Sequence, residues 1–361
     1  MNDSDNVFWM RRALKLATLG KGMTSPNPLV GAVLLNKKGE LISEGFHQKA
    51  GMPHAEAMAF DNLERDPRGG TLYVNLEPCC HYGKTPPCVK KIIDLGIKTV
   101  YISIKDPDRR VSGKGIQILK EAGLDVKIGL CEMEAKEINK AFIYKNLKGK
   151  SYGTLKWAMS LDGRIGLKNG ESKWITNSFS RSYVHNLRSS FDAIVIGGNT
   201  LRKDNPILTT RGLRESEPLR VVFTKSLDLP EKCNLWDCKL AKTLVVYDGS
   251  SADENLLKKI PDSVEVEKLP TSDPSLLSKL LSKKGFNNLL WECGPNLATA
   301  ALQKLCIQEV ITFIAPKILG GIDAMNPLSE LNFTKMNQVI SLETKDIKLF
   351  QDDIFVKTYV T

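Results

Sequence analysis

The sequence predicts an α/β protein of two domains. Strand-like apolar segments alternate with helix-period segments through both halves of the chain. At 361 residues the chain favours two hydrophobic cores over one. Between the halves, a charged helical stretch ends in Lys148-Gly149-Lys150-Ser151, a polar linker. The expected domains therefore run over residues 1–147 and 151–361.

Taken in order, Val7 to Leu19 places Val7, Met10, Leu14 and Ala17 at helical spacing, and Gly20 or Gly22 closes the helix. Leu29–Leu35 and Leu41–Phe46 are strands joined by a turn at Asn36–Gly39. Pro53 marks a helix start, because its fixed φ suits a first turn, and Ala55–Leu63 continues it. Pro67-Arg68-Gly69-Gly70 breaks that helix, and Thr71–Leu76 is a strand. A loop, Glu77–Pro87, leads to a helix opened by Cys88 and ended by Gly96. Strand Lys98–Ile104, helix Ile116–Ala122, strand Asp125–Ile128 and a helical Cys131–Tyr144 complete the first half. In the second half, strands are expected at Tyr152–Met159, Ala193–Ile196, Leu219–Phe223, Thr243–Tyr247, Asn288–Glu292 and Glu309–Ala315. Helices are expected at Ser178–Ser189, Leu276–Lys283 and Asn296–Leu305. Pro230 to Pro274 carries the weakest pattern.

Composition narrows the function. Lysine and arginine exceed acidic residues by a net +10, but they are spread along the chain. That distribution suits phosphorylated small molecules better than nucleic acid. No apolar run is long enough to cross a bilayer. Asp3 and Asp5 argue against a secretory or transit segment, so a cytoplasmic protein is expected. Three of the eight cysteines fall between Cys79 and Cys88, a clustering that suggests a metal in a reducing compartment.

His54-Ala55-Glu56 and Pro78-Cys79, with Cys88 nine positions beyond, resemble the H-x-E…P-C…C pattern of zinc-dependent nucleobase deaminases. Catalytic zinc takes three protein ligands and keeps a fourth position for water. His54, Cys79 and Cys88 supply the three, and Glu56 is the proton carrier. Residues two apart do not share a helix face, so His54 must stand at the helix entrance. A closed structural site that adds Cys80 or His81 is the rival arrangement, and a third is no metal with buried reduced cysteines. A structural site has no need of Glu56, which favours the catalytic reading.

The flanking residues extend this likeness. Thr24–Val33 (T-S-P-N-P-L-V-G-A-V), Gly45–His47, His54–Glu56 and Leu76–Cys88 together resemble the bifunctional deaminase–reductases of riboflavin biosynthesis. So do Lys156–Ile165, Gly170–Thr176, Leu187-Arg188, Gly197–Arg211 and Glu292–Leu297 in the second half. The resemblance implies an N-terminal cytidine-deaminase-like three-layer domain and a C-terminal dihydrofolate-reductase-like α/β domain. It implies zinc-dependent deamination of 2,5-diamino-6-ribosylamino-4(3H)-pyrimidinone 5′-phosphate, followed by NADPH-dependent reduction of the ribosyl group to ribityl. Asn27, His47, His81 and Lys84 would line the deaminase pocket. Ala158, Trp174, Thr200, Asp204 and the turn Gly294, Pro295, Asn296, Leu297, Ala298, Thr299 and Ala300 would contact NADPH. Ser172, Arg188, Leu208, Arg211 and Glu292 would contact the second substrate, with Lys156 as polar help.

Without the resemblance, the turns Ile196–Thr200 and Glu292–Asn296 are glycine-bearing strand-to-helix turns, each with a capping side chain, that could serve phosphate or structure alone. The chain also departs from the family pattern. Asp108 stands where an asparagine is usual, Phe223-Thr224-Lys225 replaces an Asp-Ser pair, and Cys80 and Cys293 occupy positions where small residues are usual. The expected partner is a phosphorylated pyrimidine, with no nucleic acid and no membrane. A homo-oligomer is compatible with the sequence. A tRNA-directed deaminase and a silent scaffold are the rival functions; the complete H-A-E and P-C…C set weighs against the scaffold.

Overall fold

Gly31–Leu35 (β1) is the strand on which the first sheet is built, and its five residues are all buried. The computed structural model describes residues 3–81, 87–108 and 112–361. The chain divides into two compact units, Met1–Lys148 and Gly149–Thr361.

In the first unit, α1 (Asp3–Ala17) precedes β1, β2 (Leu41–Phe46), α2 (Ala55–Asp61), β3 (Thr71–Leu76) and α3 (Cys88–Asp94). Then follow β4 (Thr99–Ile104), α4 (Lys114–Glu121), β5 (Asp125–Ile128), α5 (Glu132–Ile138) and α6 (Lys140–Lys148). The sheet order is β2-β1-β3-β4-β5. β1 is antiparallel to β2 and β3, and β3, β4 and β5 run parallel. Alternation along the strands feeds two cores. Ala32, Leu34, Leu72 and Val74 pack with α2, α3 and α4. Val33, Leu35 and Tyr73 pack with Met10, Ala13 and Leu14 of α1 and Ala135 of α5. The result is three layers, helices over both sheet faces.

α1 begins earlier than its apolar period indicates, at Asp3, because two acidic residues suit a first turn. The single helix expected over Cys131–Tyr144 is two, broken at Asn139. The Asn139 side chain accepts from the Leu29 N–H and donates to the Leu29 carbonyl.

The second unit has β6 (Tyr152–Ser160), α7 (Ser178–Ser189), β7 (Ala193–Gly197), α8 (Gly198–Asp204), β8 (Leu219–Thr224), β9 (Thr243–Asp248) and β10 (Glu265–Leu269). It continues with α9 (Pro274–Lys283), β11 (Asn288–Trp291), α10 (Pro295–Gln303), β12 (Glu309–Ala315), β13 (Leu342–Phe350) and β14 (Asp353–Val360). Nine strands form one sheet in the order β10-β9-β8-β7-β11-β6-β12-β14-β13. The strands from β10 to β12 are parallel; β14 and β13 are antiparallel additions. The chain leaves β6 toward β7 on one side and later returns to place β11 between them. Such a reversal leaves a crevice at the carboxyl ends of the strands. Among the described residues, no helix is long and apolar enough to cross a membrane.

Candidate active sites

The first site forms where two helices begin and one strand ends. His54 is the N-cap of α2, in extended conformation, as the spacing argument requires. Cys88 is the first residue of α3, and Cys79 lies just past β3. His54 Nδ1 is 3.5 Å from each cysteine sulfur. The three ligand atoms all lie within 4.8 Å of one another. The Cys88 N–H donates to Cys79 Sγ at 3.3 Å. Gly45 makes this approach feasible: a Cβ there would sit 2.5 Å from the Ala55 carbonyl, so only glycine lets α2 lie on β2.

Charge is distributed to suit a cation. The Cys88 thiol bonding to it, with the neighbouring His54, pulls Cys79 down to about 4. The hydrogen bond between His54 and the Cys79 sulfur pushes His54 up to about 9. The shared hydrogen bond with Cys79 and burial push the Cys88 thiol the other way, upward. Glu56 is buried in the first turn of α2, and burial followed by the Cys79 thiolate pushes its carboxyl up to about 7. One imidazole and two thiols within reach of one point fit zinc, and among the described residues no further ligand joins them, which leaves a coordination position for water.

His47 and Asn27 adjoin this cluster. The His47 and His54 rings meet edge to face at 5.9 Å. His47 Nδ1 lies 3.0 Å from the Pro53 carbonyl, which can only accept, so that nitrogen carries the proton. Nε2 is then an acceptor, met by Asn27 Nδ2 at 3.0 Å. Burial lowers the His47 pKa and keeps the ring neutral. His81 is exposed, and Lys84 lies outside the described residues.

The second site is a cavity of about 690 Å³ at the carboxyl ends of the second sheet. Six cationic side chains line it (Lys156, Lys173, Arg181, Arg188, Lys203 and Arg211) against two carboxylates, Asp204 and Glu292. At its floor, Arg188 grips Glu292 with two parallel bonds, Nε to Oε1 at 2.6 Å and Nη2 to Oε2 at 3.0 Å. Lys156 Nζ is 3.9 Å from Glu292 Oε2. Burial alone would raise the Glu292 pKa; Arg188 and then Lys156 overcome it and hold the carboxyl at about 2. Burial lowers the Lys156 pKa against the pull of Glu292. At the rim, the Arg181 guanidinium stacks 4.4 Å from the exposed Trp174 ring.

The two glycine turns open onto this cavity. Gly197 caps α8 and Gly294 caps α10, and neither makes a side-chain capping bond. The capping side chains expected at these turns are absent, so the first-turn N–H groups face outward uncapped. A Cβ on Gly294 would meet only Thr200 Oγ1, at 3.9 Å, so the turns face each other across open space. Two such helix starts fit the phosphates of a dinucleotide. The loop between α8 and β8 completes the wall in left-handed backbone, with φ of 42° at Asn205 and 57° at Leu208 and Arg211. Leucine is rarely held there, and such strain collects at binding sites.

Comparison with known proteins decides the family. The RibD C-terminal domain matches residues 151–356, and the cytidine and deoxycytidylate deaminase zinc-binding region matches residues 3–104. The riboflavin biosynthesis protein RibD of Synechocystis is 44% identical over 92% of this chain and 90% of its own. The chain belongs to the RibD family. Among solved RibD structures, that of Acinetobacter baumannii has a TM-score of 0.89 at 35% identity, covering 100% of both chains. The deaminase/reductase structure from Thermotoga maritima has a TM-score of 0.90 at 32% identity, covering 99% of both chains.

As a RibD, the chain gathers most of its sequence-predicted residues. Lys156, Ala158, Ser172, Trp174, Arg188, Thr200, Asp204, Leu208, Arg211, Glu292, Gly294 and Pro295 all line the one cavity. Asn296, Leu297, Ala298, Thr299 and Ala300 do not. Ala298 lies in the core, and Thr299 bonds to Ser329. Asn296 is exposed and accepts from Ser329 Oγ. Arg188, expected to contact the second substrate, has its fork committed to Glu292, whereas Arg211 stands at the exposed rim. Asp108 donates its N–H to Asp106 in the loop after β4.

Several residues of this RibD escaped sequence reasoning. Glu77 is buried and accepts N–H bonds from Asp106, Gly113 and Ile116, tying the loop that bears Cys79 to the start of α4. Asn75, fully buried, holds Gly31 N–H and the Leu29 carbonyl and so fixes the strand approach that follows Asn27. His185 and Thr209 lie in the reductase cavity. The glutamate of the L-E-P-C-C motif was a legible signal; the others needed the fold.

Proposed function

We propose that this chain carries out two successive steps of riboflavin biosynthesis. Residues 1–147 hydrolytically deaminate 2,5-diamino-6-ribosylamino-4(3H)-pyrimidinone 5′-phosphate to 5-amino-6-ribosylaminouracil 5′-phosphate. Residues 151–361 then reduce the ribosyl side chain to ribityl. The observation that carries this reading is the convergence of His54, Cys79 and Cys88 beside a buried Glu56, in a chain that matches RibD throughout.

His54, Cys79 and Cys88 hold the zinc, which supplies the Lewis acidity that makes water nucleophilic at neutral pH. Glu56 takes the proton that water gives up as it adds to the amidine carbon. It passes that proton to the ring nitrogen, then carries the added hydroxyl's proton to the amine as the C–N bond breaks, ammonia leaves and the carbonyl forms. A carboxyl pushed up to about 7 is matched to both transfers. Asn27, set by His47, presents an amide to the ring edge. His81 and Lys84 complete the pocket and meet the phosphate.

In the second unit, the uncapped starts of α8 and α10 take the cofactor phosphates, and Thr200, Asp204 and Trp174 line the rest of its path. Bound there, NADPH would supply a hydride for reduction of the sugar. The sugar oxygen that leaves needs a proton, and the buried Lys156, 3.9 Å from Glu292, gives it. Arg188 fixes Glu292, and Arg211 takes the substrate phosphate. The protein works in the cytoplasm on free nucleotides, without nucleic acid.

One assay tests the whole: purified protein with the diaminopyrimidine phosphate, with and without NADPH, alongside zinc analysis. Expected are one zinc per chain, ammonia release without NADPH, and NADPH oxidation only once the deaminated product exists. Active but metal-free protein would refute the first half. Deamination with no NADPH oxidation would refute the second.

A further inference from the structure

His185 belongs to no element of the mechanism above, yet it lines the reductase cavity together with Lys156, Arg188 and Glu292. It lies on α7 one turn before Arg188, so the two side chains share a helix face. Its Nδ1 is 3.2 Å from the Thr209 carbonyl oxygen. Arg188 Nη1 also approaches Nδ1, at 3.4 Å, farther than the carbonyl does. A carbonyl only accepts, so the shorter contact assigns the proton to Nδ1. Arg188 Nη1 donates to the same oxygen at 3.3 Å, and the two lone pairs of Thr209 satisfy both donors.

The second ring nitrogen is therefore the informative one. Burial, with the charges of Arg188 and Arg211, lowers the His185 pKa and disfavours an imidazolium; the bond to the Thr209 carbonyl and the charge of Glu292 oppose this without reversing it. With Nδ1 protonated and the ring neutral, Nε2 is a lone-pair acceptor. Among the described residues no group donates to it, and it is not one of the buried polar atoms sealed without a partner. An acceptor on a wall of six cations is the wrong group for a phosphate. It is the right group for an N–H or O–H.

We propose that His185 Nε2 accepts a hydrogen bond from an N–H or hydroxyl of the pyrimidine–ribosyl substrate, selecting and aligning it for reduction. The inference rests on the reductase reading above. It makes His185 the neutral reader of the substrate's donor side, while Arg211 takes the anionic end.

The test compares wild type with His185→Leu and His185→Gln in full-length protein. NADPH oxidation is measured with the deaminated pyrimidine phosphate across the acid range, and deamination serves as the folding control. His185→Leu should lower kcat/KM for the pyrimidine by about tenfold, the worth of one hydrogen bond, with the KM for NADPH and the deamination rate unchanged. His185→Gln, whose amide oxygen accepts without titrating, should recover most of that loss. It should also remove the part of the acid-side decline that wild type owes to imidazole protonation. Substrate analogues then locate the contact: one lacking a ribosyl hydroxyl, or one methylated at a ring N–H, should lose its handicap in His185→Leu. A His185→Leu protein within about twofold of wild type overturns the inference, as does a loss confined to the KM for NADPH. A glutamine variant no better than leucine overturns it too. Wild type that never oxidises NADPH with this product overturns the reductase reading itself, and this inference with it.

Discussion

Glu56 and Glu292 are both buried carboxyls, and their neighbours give them opposite work. Glu56 has no cationic fork to hold it ionised and is free to exchange a proton, so its pKa stands at about 7. Glu56→Gln removes the exchangeable proton while keeping shape. Deamination should fall by about 10²–10⁴-fold with zinc content unchanged, as measured by ammonia release and metal analysis. Near-normal turnover would remove Glu56 from the mechanism. Glu292 is held at about 2 by Arg188 and Lys156. Glu292→Gln leaves Arg188 buried without its counter-charge, which should cost about 3–5 kcal/mol and abolish reduction. The sign with pH follows from a depressed carboxyl: the ion pair's contribution is complete above the ordinary value of 4.5 and is lost as pH falls toward about 2. The stability gap between wild type and Glu292→Gln, read by thermal melting, should close over that interval. The two glutamates were not equally legible. His54, Glu56, Cys79 and Cys88 are close in sequence and chemically distinctive, so spacing alone suggests them. Glu292 and Arg188 are 104 residues apart, and no local pattern announces a pair across that distance.

At the scale of elements, glycine and capping decide where the site residues stand. Gly45→Ala would drive a Cβ into the Ala55 carbonyl and displace α2 with His54 and Glu56. Weaker zinc retention under a chelator and slower deamination are expected, with NADPH-dependent reduction intact. Wild-type zinc retention would show that the helix finds another seat. On α7, Asn177 caps Ser180 N–H at 2.9 Å and donates to the Phe350 carbonyl, while the buried Asp353 accepts from Asn177 N–H and Ser180 Oγ. Asn177→Ala should cost about 1 kcal/mol and loosen the helix that bears His185 and Arg188, raising the reductase KM. The elements themselves were legible where burial was two-sided. β7, β8 and β9 each carry an uninterrupted apolar run (Ala193–Ile196, Val221–Phe223 and Leu244–Tyr247) because both faces are covered. β10 and β13 were missed because they are largely exposed sheet edges, where no apolar period is imposed. β14 is rich in β-branched and aromatic residues, at Ile354, Phe355, Val356, Thr358, Tyr359 and Val360, a strand signal present in the sequence. The break between α5 and α6 had no local cue, since Asn139 is recruited there by Leu29.

Across the whole chain, the two proposed chemistries depend on different physical resources. Deamination needs a metal on three side chains of the first unit. Reduction needs a dinucleotide and a buried charge network in the second unit, whose cavity contains no cluster of metal-ligating groups among the described residues. Removing zinc therefore separates them within one intact polypeptide. Protein treated with a strong chelator should release no ammonia from the diaminopyrimidine phosphate. The same sample, supplied with the deaminated product and NADPH, should reduce it at a rate near that of untreated protein. Adding zinc back should restore the first activity and leave the second as it was. If chelation also stopped reduction of the supplied product, the metal would have to support the second unit's fold or chemistry, and the assignment of one resource to each unit would fail. Without NADPH, the converse should hold: ammonia release proceeds and the aminouracil phosphate accumulates. The order of the two steps thus follows from which reagent is withheld, measured on full-length protein without dissecting the chain.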